Sequence, residues 1–177
     1  MEEIVLHNKT FRLYIDHATI EKRIRTIGKQ INKNFKGQQP LFIGVLDGSF
    51  MFAGELMTHV TITCEITFIK MRSYDGMTNG TTKKLIGLDN AIQGRNIVVI
   101  EDIVDTGNTL YQLLDELNKK QPGSISIVSL LSKPEALKHT IKIDYIGFEI
   151  PNAFVVGYGL DYDGLGRNLT GIYQVME

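Results

Sequence analysis

Two spacings of apolar residues alternate along this chain. Short apolar runs stand at Leu41 to Leu46, Ile97 to Ile100, Ile125 to Leu131 and Tyr145 to Ile150, and a further one at Phe154 to Leu160. The β-branched run Ile97-Val98-Val99-Ile100 suits a strand covered on both faces of a parallel sheet better than an alternating, half-wet one. Between the runs, apolar residues recur every three or four positions. Ile20, Ile24, Ile27 and Ile31 predict a helix from a cap at Asp16 to about Phe35, ended by Gly37 and Pro40. Phe52, Leu56 and Val60 make a second stripe, and Leu110, Leu113, Leu114 and Leu117 a third. Ile62 to Ile69 alternates and predicts a strand with Cys64, Ile66 and Phe68 on one side, Cys64 being a core residue. Residues 4–15 alternate irregularly and carry no assignment. Strand, short loop and helix repeat in order, which predicts an α/β fold: a mainly parallel twisted sheet with helices on both faces.

The loop between the central run and the third stripe carries the chemistry. It follows Glu101 and reads Asp102-Ile103-Val104-Asp105-Thr106-Gly107-Asn108-Thr109, at the carboxyl end of a strand, where open α/β sheets bind ligands. Thr106, Gly107, Asn108 and Thr109 open a helix, so their backbone N–H groups lack intrahelical partners and form an anion site. Gly107 lets the backbone approach an anion or turn with positive φ, and the two threonine hydroxyls add donors. Glu101 and Asp102 repel phosphate but accept hydrogen bonds from sugar hydroxyls or bind a cation. A ribose 5-phosphate satisfies both ends. Two plainer readings compete. Asp105 could be a simple helix cap, which leaves the acidic pair unexplained, and a Walker B strand would need a Gly-x4-Gly-Lys-Ser/Thr loop that the chain lacks.

The run Val98 to Thr109, with its acidic pair, two apolar residues and Asp-Thr-Gly-x-Thr, resembles the phosphoribosyl pyrophosphate signature of the purine-salvage phosphoribosyltransferases, of the hypoxanthine-guanine type. The resemblance spans roughly residues 40–170. It implies a type I fold in one domain over 1–177, with a small hood from the terminal segments that includes about 150–177 and binds the base. It implies Mg²⁺ as cofactor, held by Glu101, Asp102 and Asp161, and phosphoribosyl pyrophosphate and a 6-oxopurine as substrates. Residues Glu101 to Thr109 hold the phosphoribosyl group, including Ile103 and Val104, and Asp105 takes the N7 proton of the base. Lys133 donates to the 6-oxo group, Phe154 stacks on the purine and Val155 reads its edge through the backbone, with Asp161 nearby. Taken by position alone, Lys133 reads as an ordinary surface lysine, and the resemblance reverses that reading. The Leu46-Asp47-Gly48-Ser49 turn is either a plain turn or an anion site; in the resembled family the loop binds pyrophosphate, with Arg167 as a further contact. Many members carry a lysine or arginine where this chain has Asp47, so its binding is expected through backbone amides.

From Arg72 to Thr82 almost nothing could bury, which predicts a mobile surface loop. It is a passive linker or, by the resemblance, a lid over about 72–88 that carries Ser73 and Tyr74.

Composition changes this picture little. With 177 residues, 43% hydrophobic and 22% charged, the chain is long enough for one good core. Its net charge of −1 leaves no footprint for nucleic acid, which argues against a regulator that kept the fold and binds DNA or RNA. Lys22, Arg23, Arg25, Lys29 and Lys33 read as a solvated helix face. The start Met1-Glu2-Glu3 shows no signal peptide, no apolar stretch reaches membrane-spanning length, and the lone Cys64 excludes an internal disulfide and fits the cytoplasm. A homo-oligomer, dimer or tetramer, is expected. An adenine- or pyrimidine-specific transferase is the rival enzyme, against which Lys133 and the Phe154 segment argue.

Overall fold

The structure, a computed structural model, describes residues 2–75, 81–88 and 91–176, with the side chains of 71–75 and 81–86 left undescribed. Its main sheet contains strands β3 (Leu41–Leu46), β4 (Glu65–Asp75), β5 (Thr81–Ile86), β6 (Asn96–Val104), β7 (Ser124–Ser132) and β8 (Tyr145–Glu149), in the order β5-β4-β3-β6-β7-β8. All neighbours pair in parallel except the edge strand β5. Helices α1 (His17–Asn34) and α2 (Phe50–His59) cover one face, where Ile20, Ile24, Ile27, Phe52 and Leu56 meet Phe42, Val98 and Ile100. On the opposite face Leu110, Leu113 and Leu117 of α3 (Asn108–Asn118) meet Ile43, Ile97 and Val99. Alternate residues of β6 thus enter opposite cores, which is why this run carries no polar alternation. Asp16 caps α1 by accepting from the Thr19 amide at 2.7 Å.

A second sheet, β1-β2-β10-β9, is wholly antiparallel and joins β1 (Glu3–Leu6) and β2 (Lys9–Ile15) to β9 (Val155–Val156) and β10 (Ile172–Val175). This is the hood expected of the terminal segments, and it gives residues 4–15 their structure. Their irregular pattern reflects a sheet whose own core is small, centred on Phe11, Val156 and Tyr173.

Several expected boundaries move. The strand placed at Ile62 to Ile69 starts at Glu65, because its ladder with β3 cannot begin before Leu41 follows Pro40. Ile66 and Phe68 are exposed rather than core, and Cys64 is half-buried at the core's edge. Strand β6 runs past Glu101 to Val104, since β7 keeps pairing with it after β3 has stopped at Gly44. The expected loop at 72–82 is a hairpin arm: Arg72, Ser73, Tyr74 and Asp75 pair with Lys84, Lys83, Thr82 and Thr81. Residues 76–80 and the side chains of Ser73 and Tyr74 lie outside the described residues. The strand predicted at Phe154 to Leu160 shrinks to Val155–Val156, because Gly157, Tyr158 and Gly159 take positive φ of 98°, 50° and 102°. Arg23 is not merely solvated: its Nε donates at 2.9 Å to the Gly147 carbonyl on edge strand β8. No described helix is long and apolar enough to cross a membrane.

Candidate active site

Glu101 and Asp102 sit where β6 loses β3 as a partner but keeps β7, so the chain stays straight while one flank opens. Glu101 is buried, and burial, with the neighbouring charge of Asp102, holds its carboxyl well above the usual range. Burial also pushes Asp102 up to about 6, opposed by hydrogen bonds from backbone amides and by the positive charge of Arg167, with Asp161 adding repulsion. A buried carboxylate with a partly buried one beside it stores electrostatic cost, which a cation or hydroxyl donors would relieve.

Gly48 packs against this pair. A Cβ on Gly48 would stand 1.6 Å from Asp102 Oδ2, and one on Gly159 would stand 1.9 Å from the Gly48 carbonyl oxygen. Three distant segments therefore meet, the Gly48 backbone lying against the Asp102 carboxylate and against Gly159, and only glycine fits at 48. The turn before Gly48 holds a cis Leu46–Asp47 peptide bond. Asp47 is ion-paired with Lys70, which the ladder places opposite Leu46 on β4. The hydroxyl of Ser49, fully buried, has no hydrogen-bond partner among the described residues.

Past Val104 the chain enters Asp105-Thr106-Gly107 and then α3. Gly107 is the N-cap with φ 77°, and no side chain caps the helix, so Asp105 is not a cap. Its Oδ2 instead accepts from Lys133 Nζ at 2.7 Å. Lys133 follows β7, its own N–H donates to the Val104 carbonyl at 2.9 Å, and it is only 6% exposed. That burial removes the surface-lysine reading. The helix expected to open at Thr106 begins at Asn108, with Thr106 and the N-cap Gly107 leading into it, and the Asn108 N–H reaches Thr106 Oγ1 at 3.4 Å.

On the hood side Arg167 and Asp161 meet each other: Arg167 Nη2 lies 2.6 Å from Asp161 Oδ1, and its Nη1 donates to the Gly159 carbonyl at 2.7 Å. Asp161 Oδ2 also accepts from the Gly164 amide. Phe154 keeps an exposed ring beside Phe11 and Tyr162, with Lys9 Nζ 5.5 Å from its centroid, while Val155 is buried in the sheet. Lys70 and Lys9 were not legible in the sequence, since neither lies near a motif. Gly159 was closer to legible: the Gly157-Tyr158-Gly159 spacing signals backbone contact. Among the described residues no group of three or more acidic, histidine or cysteine side chains converges as a metal cage. Mg²⁺ needs none, since it takes one or two protein carboxylates and fills its octahedron with water and substrate phosphate.

The phosphoribosyl transferase domain family matches residues 14–163. A hypoxanthine-guanine phosphoribosyltransferase of Bacillus subtilis is 40% identical over 163 residues, covering 91% of each chain. One of Streptococcus pyogenes is 42% identical over 167 residues, 93% of this chain and 92% of its own. Among solved structures, that of a hypoxanthine-guanine phosphoribosyltransferase from Bacillus anthracis shares 36% identity and a TM-score of 0.85, covering 93% of this chain and 98% of that one.

Proposed function

The chain belongs to the phosphoribosyltransferase family, and from that premise we propose how its own residues run the reaction. The reaction is purine salvage: the 5-phosphoribosyl group passes from phosphoribosyl pyrophosphate to hypoxanthine or guanine, giving the nucleoside monophosphate and pyrophosphate. The observation that carries our residue assignment is the 2.7 Å contact of Lys133 with Asp105. A 6-oxopurine presents, side by side on one edge, an acceptor at O6 and an N7–H donor. An ammonium beside a carboxylate is the complementary pair.

Asp105 takes the N7 proton as N9 attacks C1 of the sugar, and Lys133 holds O6. The backbone amides of 106–109, with the Thr106 and Thr109 hydroxyls, cradle the 5′-phosphate. Glu101 and Asp102 accept from the 2′ and 3′ hydroxyls, and their charge favours the cationic character that develops at C1. Gly48 and its neighbours meet pyrophosphate through amides, with Lys70 screening Asp47, and Arg167 lies next to them. Phe154 and the Val155 backbone receive the base. The carboxylates assigned to Mg²⁺ are Glu101, Asp102 and Asp161; when bound, the ion neutralises charge on the departing pyrophosphate. The β4–β5 hairpin with Ser73 and Tyr74 is assigned as the lid that keeps water from the sugar. A single domain acting in the cytoplasm as a homo-oligomer completes the reading. The exposed Phe50, Ile66 and Phe68 support a contact between copies.

The test is a panel of bases assayed with phosphoribosyl pyrophosphate and Mg²⁺. Hypoxanthine and guanine are turned over, while adenine, which sets donor against donor at Lys133, is rejected by about 10⁴. Lys133→Ala lowers kcat/KM for hypoxanthine and narrows that gap. Adenine turned over as readily as hypoxanthine by the parent chain would remove the assignment of Lys133.

A further inference from the structure

Behind the phosphate loop lies a contact that the reaction scheme does not use. Asn108 and Tyr111 stand three residues apart at the head of α3 and share one helix face. His139 lies against that face. Its imidazole stacks on the Tyr111 ring with centroids 4.4 Å apart and planes at 12°, and its Nε2 is 2.7 Å from Asn108 Oδ1. The same segment reaches the loop twice more. Lys138 donates its backbone N–H to the Thr106 carbonyl at 3.0 Å. Ile141 and Leu137 press on Gly107, where an added Cβ would meet them at 3.0 and 3.3 Å.

A side-chain amide is two-faced: its oxygen only accepts and its nitrogen only donates. Beside an anion cradle the oxygen end would repel phosphate and the nitrogen end would bind it. An amide oxygen has no proton to give, so the contact with His139 requires the proton on Nε2. The carbonyl of Asn108 is thereby held on the imidazole, so the NH₂ group is the end of the amide left to meet another group.

We propose that His139 is a positioning residue for the 5′-phosphate: by holding the carbonyl end of Asn108, it presents the amide's N–H donors to the anion. The inference rests on reading residues 105–109 as the phosphate cradle.

Binding of phosphoribosyl pyrophosphate by calorimetry and steady-state kinetics on the full chain test it. His139→Phe keeps an aromatic ring to stack on Tyr111 and removes the donor. It should weaken phosphoribosyl pyrophosphate binding, and raise its KM, by about 3- to 10-fold, the range of one hydrogen bond. Both kcat and the KM for the purine should stay within about twofold of the parent. His139→Gln, which restores an N–H donor, should recover most of the loss. In an Asn108→Ala background His139→Phe should cost nothing more. The proposal fails if His139→Phe binds as the parent does, if its loss persists without Asn108, or if purine KM and melting temperature move together with it. A parent chain that does not bind phosphoribosyl pyrophosphate would overturn the cradle itself, an outcome distinct from a binding parent with an indifferent His139 variant.

Discussion

Glu101 and Phe154 mark the two sides of the crevice, and their surroundings are opposite. Glu101 is 5% exposed within β6, a strand covered on both faces, and the candidate loop that continues from it to Thr109 is one unbroken segment. Phe154 is 42% exposed, and its neighbours Lys9, Phe11 and Tyr162 come from both ends of the chain. The loop side, read as the sugar-phosphate side, is buried at its Glu101 end and continuous in sequence; the Phe154 side, read as the base side, is open and assembled from a distance. Burial raises the electrostatic stakes at Glu101 and Asp102, where charge is stabilised or relieved. An exposed ring keeps a face for stacking, and on the proposed reading selectivity is left to the pair that bridges the two sides, the buried Lys133 with the partly exposed Asp105.

The contrast is broken most sharply at that bridge. Asp105→Asn should keep the fold and phosphate binding while lowering kcat by about 10² to 10⁴, the range of general-base catalysis. Turnover near the parent's, measured under saturating substrates, would show that the pair is structural.

The loop side should also betray itself in its response to pH. Because Asp102 is raised to about 6 in the folded chain, its neutral form is favoured by folding, and the folded state binds the extra proton between about pH 4 and 6. The stability it contributes is present below the unfolded pKa and is lost as pH rises through about 6. Glu101 shifts in the same direction. In denaturant titrations from pH 4 to 7, the parent should lose on the order of 3 kcal/mol relative to Asp102→Asn. Affinity for phosphoribosyl pyrophosphate should rise over the same interval. Parallel stability curves would mean that Asp102 is solvated.

Thr106→Ala and Thr109→Ala should each weaken phosphoribosyl pyrophosphate binding by roughly 1.5 to 3 kcal/mol if the lost hydrogen bond is charge-assisted. Affinity for the free base should stay unchanged, which calorimetry with each ligand separates. The smallest effect is expected at the rim. The Asp47–Lys70 pair is partly exposed, with side chains 49% and 37% accessible, and such pairs contribute about 0 to 1 kcal/mol. Asp47→Ala should leave forward activity within a few fold; a large loss would give its carboxylate a role in pyrophosphate release.

The same contrast decides what was legible beforehand. The phosphoribosyl loop, the helix stripes and the parallel runs are contiguous patterns, so they could be read residue by residue, and the family resemblance extended that reading to Lys133, Phe154 and Arg167. Ladder register is not contiguous. Whether β6 ends at Glu101 or Val104 depends on β7, a separate segment, and the start of β4 depends on Pro40. Local turn geometry also overrode apolar composition after Val156, where positive φ at Gly157 and Gly159 ends the strand. The hood strands at residues 3–15 were illegible because, beyond the local β1–β2 pairing, the strand that completes their sheet sits more than 150 positions away, as with Arg12 opposite Gln174. The Arg167–Asp161 and Lys70–Asp47 pairs were missed for a related reason: charge pairing across segments leaves no periodic trace.

Those distant ladders also impose an order in time. The six-stranded sheet is complete once Glu149 has been made, but β2 has only β1 to pair with until Ile172–Val175 arrives. During synthesis, which proceeds from the N-terminus, the acidic loop of β6 can settle on its neighbours while the N-terminal hairpin waits for its third strand. A two-stranded hairpin is marginal on its own. On the proposed reading the chain would thus form its sugar-phosphate loop before its cover for the base, and chains truncated after Pro151 and freed from the ribosome should show protection from proteolysis in β6 and α3 but not in β1 and β2.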